Sequence, residues 1–289
     1  MSGIAIALAL AAAVVHAAWN IIAHDVSRAG VAFLWWGAVA STVIWAGAIP
    51  LTGGFGTDDV AGIALGIGVS GVLHVIYMTV LQRGYRAGNL STVYATARGT
   101  GPFLSVIIAM LLLGERPGPI ALVGVLLVIA GVVAIGLVDR GPATGRRGLD
   151  PALVFGLLTG VAIAGYTIWD AFALRTWHLS PVAFMVGCAA AEIPFFTIAV
   201  AVGRRWDAVG ALWRRQWRRI IAFGVLSPLA YILVLQAIRI APVALVAPLR
   251  EVSVVLVSLF GAFVLRESRP GWRIGASVVV VAGVALIAV

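Results

Sequence analysis

Seven ionisable side chains stand in stretches of sequence that are otherwise apolar: His16, His74, Arg98, Asp170, Glu192, Arg250 and Glu251. An ionised group in hydrocarbon costs roughly 2.5–3.5 kcal/mol on insertion scales, so each is a candidate for function. Their types say which function. A guanidinium presents a rigid fork of donors that fits a carboxylate or a phosphate, which makes Arg98 and Arg250 candidate anion binders. Asp170 and Glu192 are candidate proton carriers, because a carboxyl in a low-dielectric cavity can load and release a proton as the cavity changes sides; Glu251 is next in line. His16 and His74 extend the polar set, with Trp19, Asn20, Tyr77, Tyr94, Tyr166 and Tyr231 as candidate lining of a binding cavity.

Two readings of the arginines stay open. They bind substrate, or each locks to a carboxylate or to backbone carbonyls and holds the chain together. For Arg98 the expectation is substrate binding more than folding. Adjacent helical residues diverge by ~100°, so Arg250 and Glu251 are not expected to face each other, and if both are paired at least one partner lies on another helix.

These residues must be positioned by membrane-spanning helices. The chain has 289 residues, 62% of them hydrophobic and 11% charged, with a mean hydropathy of +1.09. A soluble domain would carry roughly 25% charged residues. Apolar stretches long enough to cross a ~30 Å hydrocarbon core recur from end to end, and the alternating segments of a β-barrel are absent. The spacing predicts ten spans, at about 2–22, 31–50, 60–82, 89–113, 118–138, 151–173, 181–202, 219–239, 242–265 and 271–288. The first lacks a basic leader and reads as a retained helix. The basic, tryptophan-rich connection "GRRWDAVGALWRRQWRR" (203–219) reads either as an interfacial helix on anionic headgroups or as a solvated loop.

The chain repeats itself. "LLLGERPGPIALVGVLLVIAGV" (111–132) matches "FVLRESRPGWRIGASVVVVAGV" (263–284) at an offset of 152, which puts Arg98 on Arg250 and Glu115 on Glu267. "YMTVLQ" (77–82) matches "YILVLQ" (231–236), and Trp19-Asn20 matches Trp169-Asp170. Residues 1–140 and 150–289 therefore read as two five-helix repeats. Five is odd, so the second enters the membrane inverted, a construction common among secondary transporters. Fifteen arginines fall in or beside the odd-numbered connections, and only Arg116, Arg175 and Arg239 beside the even ones. The positive-inside rule then places the odd connections in the cytoplasm and both termini outside a cell (inner or plasma) membrane. In that orientation Arg98, His16, Trp19, Asn20, His74 and Tyr77 are expected near the cytoplasmic side. Arg250, Glu251, Tyr231, Tyr166 and Asp170 are expected near the outer side. Glu192 falls mid-span, two residues before Pro194.

"LGER" (113–116), "LRES" (265–268) and the two "AGV" segments resemble the drug/metabolite transporter superfamily, EamA type. So do "HAAWN" (16–20), "VYATARGTGPFL" (93–104), "GYTIWD" (165–170) and "APVALVAPLREVSVV" (241–255). The resemblance implies secondary transport by alternating access between two five-helix bundles, in a superfamily that moves amino acids, sugars, nucleotide sugars and organic cations. The chain departs from it twice. Many EamA-type members are assigned cytoplasmic termini, and the small multidrug relatives carry a helix-1 glutamate where this chain has His16 and Asn20.

The expected function is a secondary active transporter for a small polar metabolite, amino-acid-like or otherwise charged or zwitterionic, with proton-coupled export. An organic-cation efflux carrier is the alternative within transport, and a non-transporting membrane scaffold or accessory protein the alternative outside it. With no lysine anywhere and Gly-rich segments outside any strand–turn–helix setting, a Walker nucleotide site is excluded. No catalytic residues, no cofactor and no metal are expected; a lone Cys188 forms neither disulfide nor thiolate cluster. The expected partners are the substrate, a proton and the lipid bilayer, not nucleic acid, in a monomer or weak dimer.

Overall fold

The computed structural model describes residues 1–23, 26–87, 90–137, 150–264 and 269–289. The described helices make ten spans, five on each side of residues 138–149. The first five are α1 (Gly3–Ala23), α2 (Val31–Ala46), α4 (Val60–Ala87), α5 (Leu90–Leu112) and α6 (Pro119–Leu137). At 16 residues α2 is short for a bilayer, and the one-turn α3 (Ala48–Leu51) prolongs it through Gly47, which keeps helical backbone angles. The second five are α7 (Pro151–Thr176), α8 (Pro181–Val202), α9 (Trp206–Ile240), the pair α10 (Val243–Arg250) and α11 (Val252–Phe263), and α12 (Pro270–Ala288). Among the described residues nine spans are long and apolar enough to cross a membrane by themselves.

Helix starts follow proline chemistry. Pro119, Pro151, Pro181 and Pro270 each open a helix, where a missing N–H leaves nothing unpaired. Asp150 caps α7, accepting from the backbone N–H of Ala152 at 2.9 Å. Two expected boundaries move. The 203–219 connection is largely helical and continues into α9, kinked where Gln216 leaves helical geometry (φ −135°). The single span expected at 242–265 is broken: α10 ends at Arg250, Glu251 sits in the turn (φ −71°, ψ −8°), and α11 resumes at Val252.

The main packing pairs are α5 with α7, α6 with α12, α1 with α9, α4 with α7, and α2 with α8 and α9. α10 lies at the centre, with every residue from Val243 to Arg250 buried. A helix apolar on all sides belongs in such an interior.

Indole N–H groups are spent on neighbouring helices. Trp36 donates to the Val209 carbonyl at 2.9 Å, Trp45 to Val225 at 3.2 Å and Trp272 to Ala134 at 3.0 Å. Trp35 donates to Thr197 Oγ1 at 3.0 Å. Trp169, the repeat match of Trp19, donates to the Gly66 carbonyl at 3.0 Å and packs against Phe172 and Trp177. Arg273, counted above beside a connection, lies within α12, buried, with Nη1 3.3 Å from Ser258 Oγ.

Candidate functional site

α5 carries Arg98 inward without breaking. Gly99, Gly101 and Pro102 follow Arg98 closely, and the helix runs on through all three. A Cβ at Gly99 would come within 2.4 Å of Val133 Cγ2 on α6, so glycine is required there for approach.

Arg98 is held on three sides. Its Nη1 lies 3.0 Å from Glu251 Oε2 and 3.3 Å from Oε1, its Nη2 lies 2.8 Å from His16 Nε2, and its guanidinium sits 5.2 Å from the Tyr94 ring centre. Arginine has only donors, so His16 Nε2 accepts and a neutral His16 carries its proton on Nδ1. Glu251 is 1% exposed and sits in the break between α10 and α11, where it bridges the two halves of the chain.

Arg250 is differently placed. Its Nε lies 3.5 Å from Glu251 Oε1, a charge contact outside hydrogen-bond geometry, and that nitrogen has no hydrogen-bond partner among the described residues. The helix break lets these adjacent side chains approach, contrary to the expectation from helical angles. Glu251 still spends its hydrogen bonds on Arg98, so Arg250 is a cation at 5% exposure with no hydrogen-bonded counter-charge.

Arg250 faces a cavity of about 140 Å³ enclosed by α1, α2, α4, α5, α7, α8, α9 and α10. His16, Trp19, His74, Tyr77, Arg98, Tyr166, Glu192 and Tyr231 line the same space. His74 stacks on Tyr166 with ring centres 4.3 Å apart, and Tyr77 and Tyr231 meet Tyr166 edge-on at 5.4 and 6.1 Å. Glu192, from α8, makes no hydrogen bond or ion pair with the described residues. The cavity thus presents one cation and one carboxyl without hydrogen-bonded partners, between aromatic walls.

The separate cytoplasmic and outer levels expected from the sequence are one level. His16 and Arg98 meet Glu251, and His74 and Tyr77 meet Tyr166, so the two sets interleave. Asp170 is fully buried behind the wall, accepts the Tyr231 hydroxyl proton on Oδ2, and has no partner for Oδ1 among the described residues. Asn20 turns away, donating to the His16 carbonyl at 2.8 Å. Tyr94 lies behind Arg98 rather than on the cavity.

Sequence reasoning counted Glu115 only as a repeat match and Arg175 only as a charge beside a connection. Glu115 accepts from the backbone N–H groups of Val243 and Ala244, each at 2.8 Å, and so caps α10. Arg175 pairs with Glu115 at 2.9 Å and donates to the carbonyls of Ile238 and Ala241, closing the corner between α9 and α10. Partners 128 residues apart leave no local signal. Glu267, the repeat match of Glu115, lies outside the described residues, as does "LRES".

No curated protein matches the chain. A solved structure titled only "Crystal structure of protein" shares the fold, with a TM-score of 0.72 at 19% identity over 99% of this chain and 98% of that one. The pattern of the EamA-like transporter family matches residues 150–289. The second half of the chain, residues 150–289, thus matches the EamA-like transporter family, and that match supports membership of the drug/metabolite transporter superfamily.

Proposed function

We propose that this protein is a secondary active transporter that carries a small zwitterionic metabolite, amino-acid-like in its charges, by alternating access of two inverted five-helix repeats. One observation carries the reading: Arg250 and Glu192 line the same aromatic cavity, and neither is hydrogen-bonded within the described residues. A substrate carboxylate takes the Arg250 guanidinium, a substrate ammonium takes Glu192, and the tyrosine and histidine rings enclose an apolar side group. The cavity is small, which supports a metabolite over a bulky drug. Arg250 argues against an organic cation as the main cargo, since a cation gains nothing from a second unneutralised cation nearby.

Export coupled to protons follows from the same residues. Proton and ammonium compete for Glu192, so loading one from one side releases the other. Glu251 is committed to Arg98 and Asp170 to Tyr231, which leaves Glu192 the freest acid. With the arginine-rich connections in the cytoplasm, both termini face outward, and a reporter fused at Val289 should be active only outside.

Counterflow in proteoliposomes tests the substrate class. Zwitterionic amino acids should exchange, while their amide and decarboxylated analogues should not. Arg250→Gln should abolish exchange while leaving the protein folded. Exchange of organic cations but not zwitterions would replace this reading by the efflux alternative.

A further inference from the structure

The tryptophan–arginine segment that opens α9 plays no part in the cavity. From Trp206 to Arg215 it is helical, and the kink at Gln216 separates it from the span proper. One side docks on α2: Trp36 stacks on Trp213 with ring centres 4.5 Å apart, and Trp35 meets both Trp36 and Trp206 edge-on at 4.8 and 5.8 Å. The Trp36 indole also donates to the Val209 carbonyl at 2.9 Å. The other side is open. Arg204, Arg205, Arg214, Arg215 and Arg218 are exposed, and Trp206 and Trp217 are 47% and 48% exposed. Arg218 lies over the Trp217 ring at 5.4 Å.

Two independent features locate this surface. Exposed tryptophans whose ring edges reach both apolar and polar surroundings settle at the headgroup level of a bilayer. Arginines clustered there meet the phosphodiester layer, where each basic side chain adds to attraction for anionic lipid. Arginine also suits phosphate better than a point charge does, because its fork binds two oxygens at once. Within 204–218 the one acidic residue is Asp207, so little on the segment opposes an anion.

We infer that this segment is a binding site for the headgroups of anionic glycerophospholipids. The site is joined to the cavity wall. Trp36 belongs to α2, which also supplies Phe33, Leu34 and Gly37 to the cavity, and Phe223 of α9 lines it too. Anionic lipid on the arginines therefore clamps the α2–α9 wall through the Trp36–Trp213 stack. The site stands apart from the substrate reading and needs no substrate to be tested.

The full-length protein is reconstituted in phosphatidylcholine vesicles doped with either brominated phosphatidylglycerol or brominated phosphatidylcholine, and tryptophan quenching is read for each. The wild type should be quenched more by the anionic lipid at equal doping, and the preference should shrink with added salt. Arg214→Gln/Arg215→Gln/Arg218→Gln should lower that preference by about tenfold or more, on the scale of roughly fivefold per arginine at an anionic surface. Arg83→Gln/Arg86→Gln, at the basic end of α4 where no tryptophan lies, should leave it within about twofold. Thermal melting gives a second readout: phosphatidylglycerol should raise the melting temperature of the wild type and not of the triple variant. Equal quenching by the two lipids in the wild type, or the same loss in both variants, overturns the inference. So does a triple variant whose melting still responds to phosphatidylglycerol.

Discussion

The α6–α12 seam and the Arg98–Arg250 cluster join the two halves of the chain at positions equivalent in the sequence repeat, and they are built in opposite ways. The seam is reciprocal. A Cβ on Gly283 would meet the Gly124 carbonyl at 2.6 Å and Val128 at 2.8–2.9 Å; a Cβ on Gly131 would meet the Ala276 carbonyl at 2.9 Å and Val280 at 2.6 Å. Shifting by 152 converts one set of contacts into the other. The cluster is not reciprocal. Arg98 has His16 and Glu251, whereas the matching neighbours of Arg250 are Tyr166 and Gly99, neither of which carries a negative charge. Duplicated sequence thus keeps its symmetry where shape alone matters and loses it where charge must be balanced. One arginine is hydrogen-bonded across the halves, and the other keeps only a 3.5 Å charge contact with Glu251.

The largest effect should come from the seam. Gly283→Leu drives a side chain into a backbone carbonyl that cannot rotate away, so the damage should exceed the ~1–3 kcal/mol of ordinary overpacking. We expect little monodisperse protein by fluorescence-detected size exclusion, and the same for Gly124→Leu. Gly275→Ala, beside open space, should melt like the wild type. A well-folded Gly283→Leu protein would show that the seam is not what fixes the halves.

Next comes the neutralised arginine. Arg98→Ala removes both hydrogen bonds to Glu251 and leaves that buried carboxylate only its 3.5 Å charge contact with Arg250, a loss of about 3–5 kcal/mol. Arg250→Gln has no hydrogen bond to lose and should cost far less. Melting temperatures that fall equally for Arg98→Ala and Arg250→Gln would erase the distinction between the two arginines. This prediction runs against the expectation that Arg98 serves substrate more than folding, and the proposal gives that role to Arg250. A smaller loss belongs to the α9–α10 corner. Glu115→Gln gives up the ion pair with Arg175 and, with one carbonyl oxygen in place of two, keeps an acceptor for only one of the two α10 N–H groups, so about 1–3 kcal/mol should go. No loss in melting temperature would make the clasp incidental.

The contrast also explains how much was legible beforehand. Span positions follow from local hydropathy, and nine of the ten stand close to where it places them. The break at Glu251 was not placed beforehand: Pro248 marks a weak point in the helix, but that Glu251 there reaches Arg98 is a contact across 153 residues. Depth misled in the same way: counting residues from the ends set Arg98 and Arg250 at separate levels, and only inter-helix geometry merges them. The membership of the cavity was largely readable, since a buried ionisable side chain advertises itself. Which arginine is free depends on pairing across 153 residues, a distance at which sequence spacing says nothing.

The least costly change for the fold should be the most telling for mechanism. Glu192 has no described partner to lose, so Glu192→Gln should melt within about 1 kcal/mol of the wild type, as substitutions away from packed or paired features do. Its effect on transport should nevertheless be complete in one respect. Glutamine still offers a carbonyl oxygen to a substrate ammonium but cannot take a proton. Exchange of substrate for substrate should therefore persist with weakened affinity, while accumulation driven by a pH gradient should vanish. Arg250→Gln should fail in both assays, because Arg98, the other cation on the cavity, is already held by Glu251 and His16. If Glu192→Gln keeps gradient-driven accumulation, the proton travels by another acid, and Asp170 behind Tyr231 is the next to neutralise. If it loses exchange as completely as Arg250→Gln, Glu192 is a binding group alone, and the coupling asymmetry lies outside the cavity.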